Sequence, residues 1–168
     1  MSSETQTVAV VGGGASGLMA AIAAARAGAS VCLLERQDRV GRKVLATGNG
    51  RCNLSHVTVT DKNYHGRNPG FVNAALRRFC VQDTLAFFHD LGILTTTEDD
   101  GEVYPLCAQA SAVLDVLRFE GLRLGVQTMV GAEVVRIAPG ARGFALVHEG
   151  PPTPTDPSRD RRRHGPPG

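Results

Sequence analysis

The sequence predicts an α/β domain built on a parallel sheet, and three observations predict it. Val8-Ala9-Val10-Val11 and Val31-Cys32-Leu33-Leu34 are short, wholly apolar runs of the kind that fill buried strands. Between them, residues 15 to about 27 place Leu18, Ile22 and Ala25 at helical spacing, with Gly28 to close the helix. The first run passes straight into Gly12-Gly13-Gly14, a turn no helix or strand interior would choose. Strand, helix and strand in that order form a βαβ unit, whose strands lie parallel.

The remaining elements follow in order. A long loop rich in Gly, Arg and Asn is expected from Arg36 to about Asn68, then helices over roughly 70–79 and 82–91. A strand is expected at 93–97, and the turn Asp99-Asp100-Gly101 leads into Val103-Tyr104-Pro105. A helix over about 108–124 carries Val113, Leu114, Leu117 and Leu122. Residues 126–130, 133–137 and 144–147 alternate as strands of a small β-meander, with Pro139-Gly140 as a turn signal. No internal repeat is present.

Composition narrows the class. The chain has 168 residues, 42% hydrophobic and 20% charged, which fits one folded domain and neither a disordered nor a membrane protein. Its longest apolar run, Leu18 to Ala25, is far short of the ~20 residues a spanning helix needs, and no basic leader opens the chain. Four cysteines without a C-x-x-C pair point to reduced thiols rather than disulfides or a metal cluster, hence to the cytoplasm. Positions 1–150 carry 14 basic and 14 acidic residues, so the body is neutral and suggests no nucleic-acid surface. His56, His65 and His89 have no carboxylate partner in sequence and are assigned no chemistry.

The chemistry is read from the glycine turn. Gly12-x-Gly14-x-x-Gly17 lies between strand and helix, and Glu35 closes the next strand. Gly12 permits the tight turn, Gly14 lets the backbone approach a pyrophosphate, and Gly17 lets helix and strand pack closely. The helix N-terminus faces the negative charge. Glu35 can accept hydrogen bonds from the ribose hydroxyls of an adenosine and would repel a 2′-phosphate, disfavouring NADP at this site. This constellation reads as an adenine-dinucleotide site, and by itself does not separate FAD from NAD.

A second run, Gly41-Arg42-Lys43-Val44-Leu45-Ala46-Thr47-Gly48-Asn49-Gly50-Arg51-Cys52-Asn53, offers glycine-flanked amides, cations and an Asn side chain suited to a phosphate and a polar ring edge. With the first motif, with Gly101-Glu102-Val103-Tyr104-Pro105, and with the segments 110–117 and 131–137, the chain resembles the BaiN-type NAD(P)/FAD-dependent oxidoreductases, also called the aminoacetone oxidase family, over about residues 7–149. The resemblance implies a Rossmann-type FAD-binding domain. Gly12, Gly14, Ala15, Ser16 and Gly17 would hold the FAD pyrophosphate and Glu35 the adenosine ribose. Arg42 and Lys43 would lie near the phosphates, Gly48, Asn49, Gly50 and Asn53 toward the flavin, and the Val134 backbone at the adenine edge. The flavin would pass a hydride or electrons between NAD(P)H or a reduced small molecule and an acceptor. No catalytic side chain and no metal is assigned, and Cys52 reads as a packed residue rather than a redox thiol.

Members of that family continue past this point with a strand and Ala-Thr-Gly-Gly-type turn, then a substrate domain. Residues 150–168 instead form a Pro- and Arg-rich tail, expected to be disordered because it has no Val, Ile, Leu, Phe or Met to bury. Read one base out of frame, residues 160–165 admit Ile-Val-Val-Ala-Thr-Gly, the family's next strand, so a frameshift near Gly150 is expected. On that reading the chain is truncated before the substrate domain. The readings left open are a non-catalytic remnant with weak or no dinucleotide binding, and an NAD-only module.

Overall fold

The computed structural model describes residues 6–150 and the backbone of residues 153 and 154. In chain order the elements are β1 (Thr7–Val11), α1 (Ala15–Arg26), β2 (Ser30–Glu35), α2 (Arg42–Ala46), β3 (Ser55–His56), α3 (Asn73–Arg78), α4 (Val81–Asp90), β4 (Thr95–Thr97), β5 (Glu102–Pro105) and α5 (Ala110–Arg123), followed by β6 (Gln127–Val130), β7 (Glu133–Gly140), β8 (Gly143–Glu149) and β9 (Thr153–Pro154). Short 3-10 turns cover Asp61–Asn63 and Pro69–Val72, and Thr47–Gly50 forms a tight turn through left-handed backbone. The described residues form two compact units, one from those up to residue 40 and from 121 onward, the other from residues 41–120, inserted between them in sequence.

The first unit is the expected α/β framework. Its sheet runs in the order β1-β2-β6-β9, with β1, β2 and β6 mutually parallel and β9 antiparallel on β6. Apolar β2 lies between two neighbours, and Leu33, which pairs with both Val10 and Thr128, is 0% exposed. Helix α1 lies against β2 and buries the expected Leu18 and Ile22, with Ala21 as the third buried residue in place of Ala25, which is half-buried. Gly28 ends it at φ 89°, where the Ala29 N–H donates to the Ala24 carbonyl, a C-terminal turn that glycine alone enters without strain.

Three expectations change here. The strand at 127–130 joins the parallel sheet instead of a meander, because its register places Met129 and Val130 beside Leu34 and Glu35. The Pro139-Gly140 turn moves two residues on: β7 continues through Gly140, which pairs with Gly143, and Ala141-Arg142 makes the bend. Proline fits extended backbone on a two-stranded ribbon, where its missing N–H can face away from the partner. The backbone of Thr153 and Pro154, expected within the disordered tail, instead pairs with Val130 and Met129 at the sheet edge. The remainder of the tail, including the frameshift segment 160–165, lies outside the described residues.

The second unit holds the antiparallel sheet β3-β5-β4, with the central strand β5 burying Val103, Tyr104 and Pro105. Cys80 starts α4, and its N–H donates to the Asp83 carboxylate at 2.8 Å. The Cys80 thiol, with this backbone contact second, holds the Asp83 carboxyl below the usual aspartate value. Residues 42–46, expected as loop, form the short helix α2, and the helix expected over 70–79 is a 3-10 turn followed by α3. No helix among the described residues is long and apolar enough to cross a membrane.

Candidate cofactor site

Strand β1 delivers the glycine turn to the carboxyl end of the parallel sheet, the end where open α/β sheets bind ligands. Each glycine does separate work. Gly12 sits at φ 99°, a conformation that other residues rarely adopt, and its N–H donates to the Leu34 carbonyl at 2.7 Å. A Cβ on Gly17 would lie 1.8 Å from the Gly12 carbonyl oxygen, so only glycine lets α1 sit this close to the turn. A Cβ on Gly14 would meet nothing within 4 Å. That open ground is where a ligand's phosphates would approach the backbone.

Gly13 was not singled out in the sequence, yet it is the buried member of the turn. A Cβ there would lie 2.5 Å from Val40 Cγ1 and 3.2 Å from Glu35 Cβ. Only a run of three glycines signalled it. Gly14, Ala15 and Ser16 are exposed, and no side chain caps the first turn of α1. Its amides and the positive end of the helix dipole therefore suit a pyrophosphate.

Glu35 ends β2 beside this turn. Its Oε2 accepts the Gly13 N–H at 2.6 Å and its Oε1 accepts the Gln37 N–H at 2.8 Å. Its main-chain carbonyl accepts from Ala132 at 3.0 Å, which fixes the β6–β7 turn beside the same strand end. Val134 lies two residues further along, in β7, opposite His148 and next to a bulge. Gly12, Gly14, Ala15, Ser16, Gly17, Glu35 and Val134 thus all belong to the first unit. The site fits a dinucleotide by open space at Gly14, exposed amides on α1 and an acidic strand end.

The second motif belongs to the inserted unit. Gly41 precedes α2 at φ 73°, and a Cβ there would lie 2.2 Å from Leu114 Cδ1. Arg42 and Lys43 stand exposed in the first turn of α2. Beyond it Gly48, Asn49 and Gly50 all take positive φ, as does buried Cys52 at φ 63°. Asn tolerates this region and cysteine rarely does, so the loop holds Cys52 in a conformation it would not choose alone. The backbone bonds Arg51 N–H to Gly48 O and Cys52 N–H to Thr47 O, each 3.0 Å, tie the loop down. Asn49, Gly50 and Asn53 remain exposed.

One cluster had no sequence signal beyond the Gly101–Pro105 stretch. The Arg51 guanidinium lies 4.0 Å over the Tyr104 ring and pairs with Glu98, while the Tyr104 hydroxyl donates to Glu102. That hydrogen bond to Glu102, with burial second, holds the Tyr104 phenol above the usual tyrosine value. Glu98, Asp100 and Glu102 bring carboxylate oxygens within 4.8 Å of one another. Arg51, the Glu102 N–H and Tyr104 already engage those three carboxylates in turn. All four cysteines are free thiols.

A parallel sheet, a glycine turn at its carboxyl end and an acidic residue closing the second strand define a Rossmann-type nucleotide-binding domain of the α/β class. The chain belongs to the HI0933-like protein Rossmann domain family, which it matches over residues 6–152, and this is the FAD-binding domain of flavoprotein oxidoreductases. It is 41% identical over 151 residues to the 3-dehydro-bile acid delta(4,6)-reductase of Clostridium scindens, covering 89% of this chain and 37% of that protein. To the ribosomal RNA dihydrouridine synthase of Escherichia coli it is 31% identical, covering 82% of this chain and 34% of the other. The chain therefore spans about a third of the length of these curated relatives. Among solved structures, Thermovibrio ammonificans THI4 shares the fold at a TM-score of 0.55 and 18% identity, covering 87% of this chain and 48% of the other. A 3-ketosteroid-delta4-(5alpha)-dehydrogenase from Rhodococcus jostii RHA1 does so at 0.55 and 15%, covering 92% and 44%.

Proposed function

We propose that this chain is the FAD-holding portion of a flavin-dependent reductase, with the glycine turn on the pyrophosphate and Glu35 on the adenosine ribose. The observation that carries this reading is the pairing of an open backbone face at Gly14 with exposed, uncapped amides on α1. Arg42 and Lys43 supply positive charge toward the phosphates, and Gly48, Asn49, Gly50 and Asn53 serve the flavin half. The Val134 backbone takes the adenine edge.

Bound FAD would supply hydride acceptance and donation, with NAD(P)H or a reduced small molecule as donor. The chain's own residues bind and orient. None is assigned as an acid or base, and no metal is invoked. The neutral body, with as many acidic as basic residues up to position 150, gives these residues no basic excess with which to hold RNA. The four free thiols support the cytoplasm as working compartment.

Substrate choice belongs to sequence that the relatives carry beyond the matched third. The chain alone is therefore expected to hold flavin without turning over. Flavin-loaded chain mixed anaerobically with NADH or NADPH tests this. The flavin absorbance should bleach no faster than that of free FAD, whereas rapid bleaching would show a donor site within these residues. A non-catalytic remnant is the second reading, and failure to retain FAD would favour it.

A further inference from the structure

Glu35 is read above as the ribose contact, but the structure gives its carboxylate prior work. Both oxygens accept main-chain N–H groups, from Gly13 at 2.6 Å and from Gln37 at 2.8 Å. Gly13 is the buried middle of the glycine turn, pressed on Val40 and on Glu35 itself. Gln37 lies just past the end of β2, where its carbonyl accepts the Gly131 N–H at 2.9 Å. The Glu35 carbonyl accepts from Ala132, so one residue ties together the segments that follow β1, β2 and β6.

We infer that Glu35 is a positioning residue for the pyrophosphate half of the site: it latches the Gly12–Gly14 turn, and thereby the first amides of α1, in their binding shape before any ligand arrives. The inference deepens the cofactor reading and rests on it. Three physical points carry it. A carboxylate accepting two amides forms charge-assisted bonds, which are stronger than neutral ones. Gly12 and Gly13 lose more backbone freedom on ordering than other residues, so the turn needs an external tie. Each carboxylate oxygen has a second lone pair, so latching and ribose binding can coexist on one side chain.

The latch and a role confined to the ribose make opposite predictions for a ligand that has no ribose. Inorganic pyrophosphate is that probe. If Glu35 serves only the ribose, replacing its negative charge in Glu35→Gln should leave pyrophosphate binding unchanged or tighten it. The latch predicts the reverse: weakening by at least about tenfold, because the amide side chain keeps one acceptor for two donors.

The experiment combines pyrophosphate titration with amide hydrogen exchange of the unliganded 168-residue chain, followed by NMR. In the unaltered chain the Gly13 and Gln37 amides should exchange at least about tenfold more slowly than exposed turn amides. Glu35→Gln should lose one of these protections and Glu35→Ala both. The Val10 and Leu34 amides, inside the β1–β2 ladder, report whether a variant remains folded. A Gly13 amide that exchanges freely in the unaltered chain overturns the latch without any variant, so an unfolded variant cannot leave the question open. Pyrophosphate binding undiminished in folded Glu35→Gln overturns it as well. If the unaltered chain takes up neither FAD nor pyrophosphate, the cofactor reading fails, while Gly13 exchange still decides the latch.

Discussion

Gly17→Ala should abolish flavin retention and lower thermal stability together, while Gly14→Ala abolishes retention alone. At Gly17 the added methyl would fall 1.8 Å from the Gly12 carbonyl oxygen and 2.9 Å from its carbon. No rotamer relieves a Cβ, so either α1 moves away from the turn or the turn deforms. Overpacking of this kind costs about 1–3 kcal/mol and occasionally more. In a domain of this size that lowers Tm by about 2–12 °C. At Gly14 the same methyl enters open space from ordinary extended backbone at φ −76°, so Tm should stay within the range of a surface change. The methyl would instead stand where the pyrophosphate approaches, and FAD affinity should fall at least about tenfold. Differential scanning fluorimetry and flavin titration on both variants check this. Equal stability losses, or unchanged affinity in Gly14→Ala, would contradict the assignment of the two glycines.

Leu33→Ala should be the most damaging substitution in the sheet. Leu33 is 0% exposed and sits in β2 between β1 and β6, two residues before Glu35. Emptying such a position costs about 2–5 kcal/mol, from lost apolar transfer and the cavity left behind. Unfolding in urea should show the midpoint fall without a change of slope. Leu33→Met, which conserves volume, should lose less than about 1.5 kcal/mol. Similar losses in both variants would mean that β2 is not the centre of the core.

The β1–α1–β2 unit was legible because two apolar runs, one helical stripe and a glycine turn all agree on one arrangement. Glu35 was legible for the same reason, since its place at a strand end follows from the strand. Helix α2 was not: Arg42–Ala46 are good helix formers, but five residues give no period to read. Nor does residue type announce that Cys52 takes φ 63°, because the loop's tertiary bonds impose it. Pro139-Gly140 misled as a turn signal because a proline can continue a two-stranded ribbon, and Gly140 finds its ladder partner in Gly143. The two hydrogen bonds that Glu35 accepts from the backbone could not be read from spacing at all. It depends on Gly13 folding back against β2, a contact between residues 22 apart in sequence.

The division at Val40 and Gly41 has a comparable origin. A parallel sheet needs only a crossover between β2 and β6, and a single helix would suffice. Here residues 41–120 form a compact unit with their own antiparallel sheet. That insertion carries the whole of the second motif, whereas the glycine turn and Glu35 stay with the parallel sheet.

On the reading proposed above, these 168 residues hold FAD through the glycine turn. Its most direct test is the visible absorption spectrum of the purified chain after mixing with FAD and desalting, run beside Gly14→Ala. Near-stoichiometric flavin is expected on the unaltered chain, beside a colourless variant of equal stability. A colourless unaltered chain, or flavin retained equally by both, would contradict it.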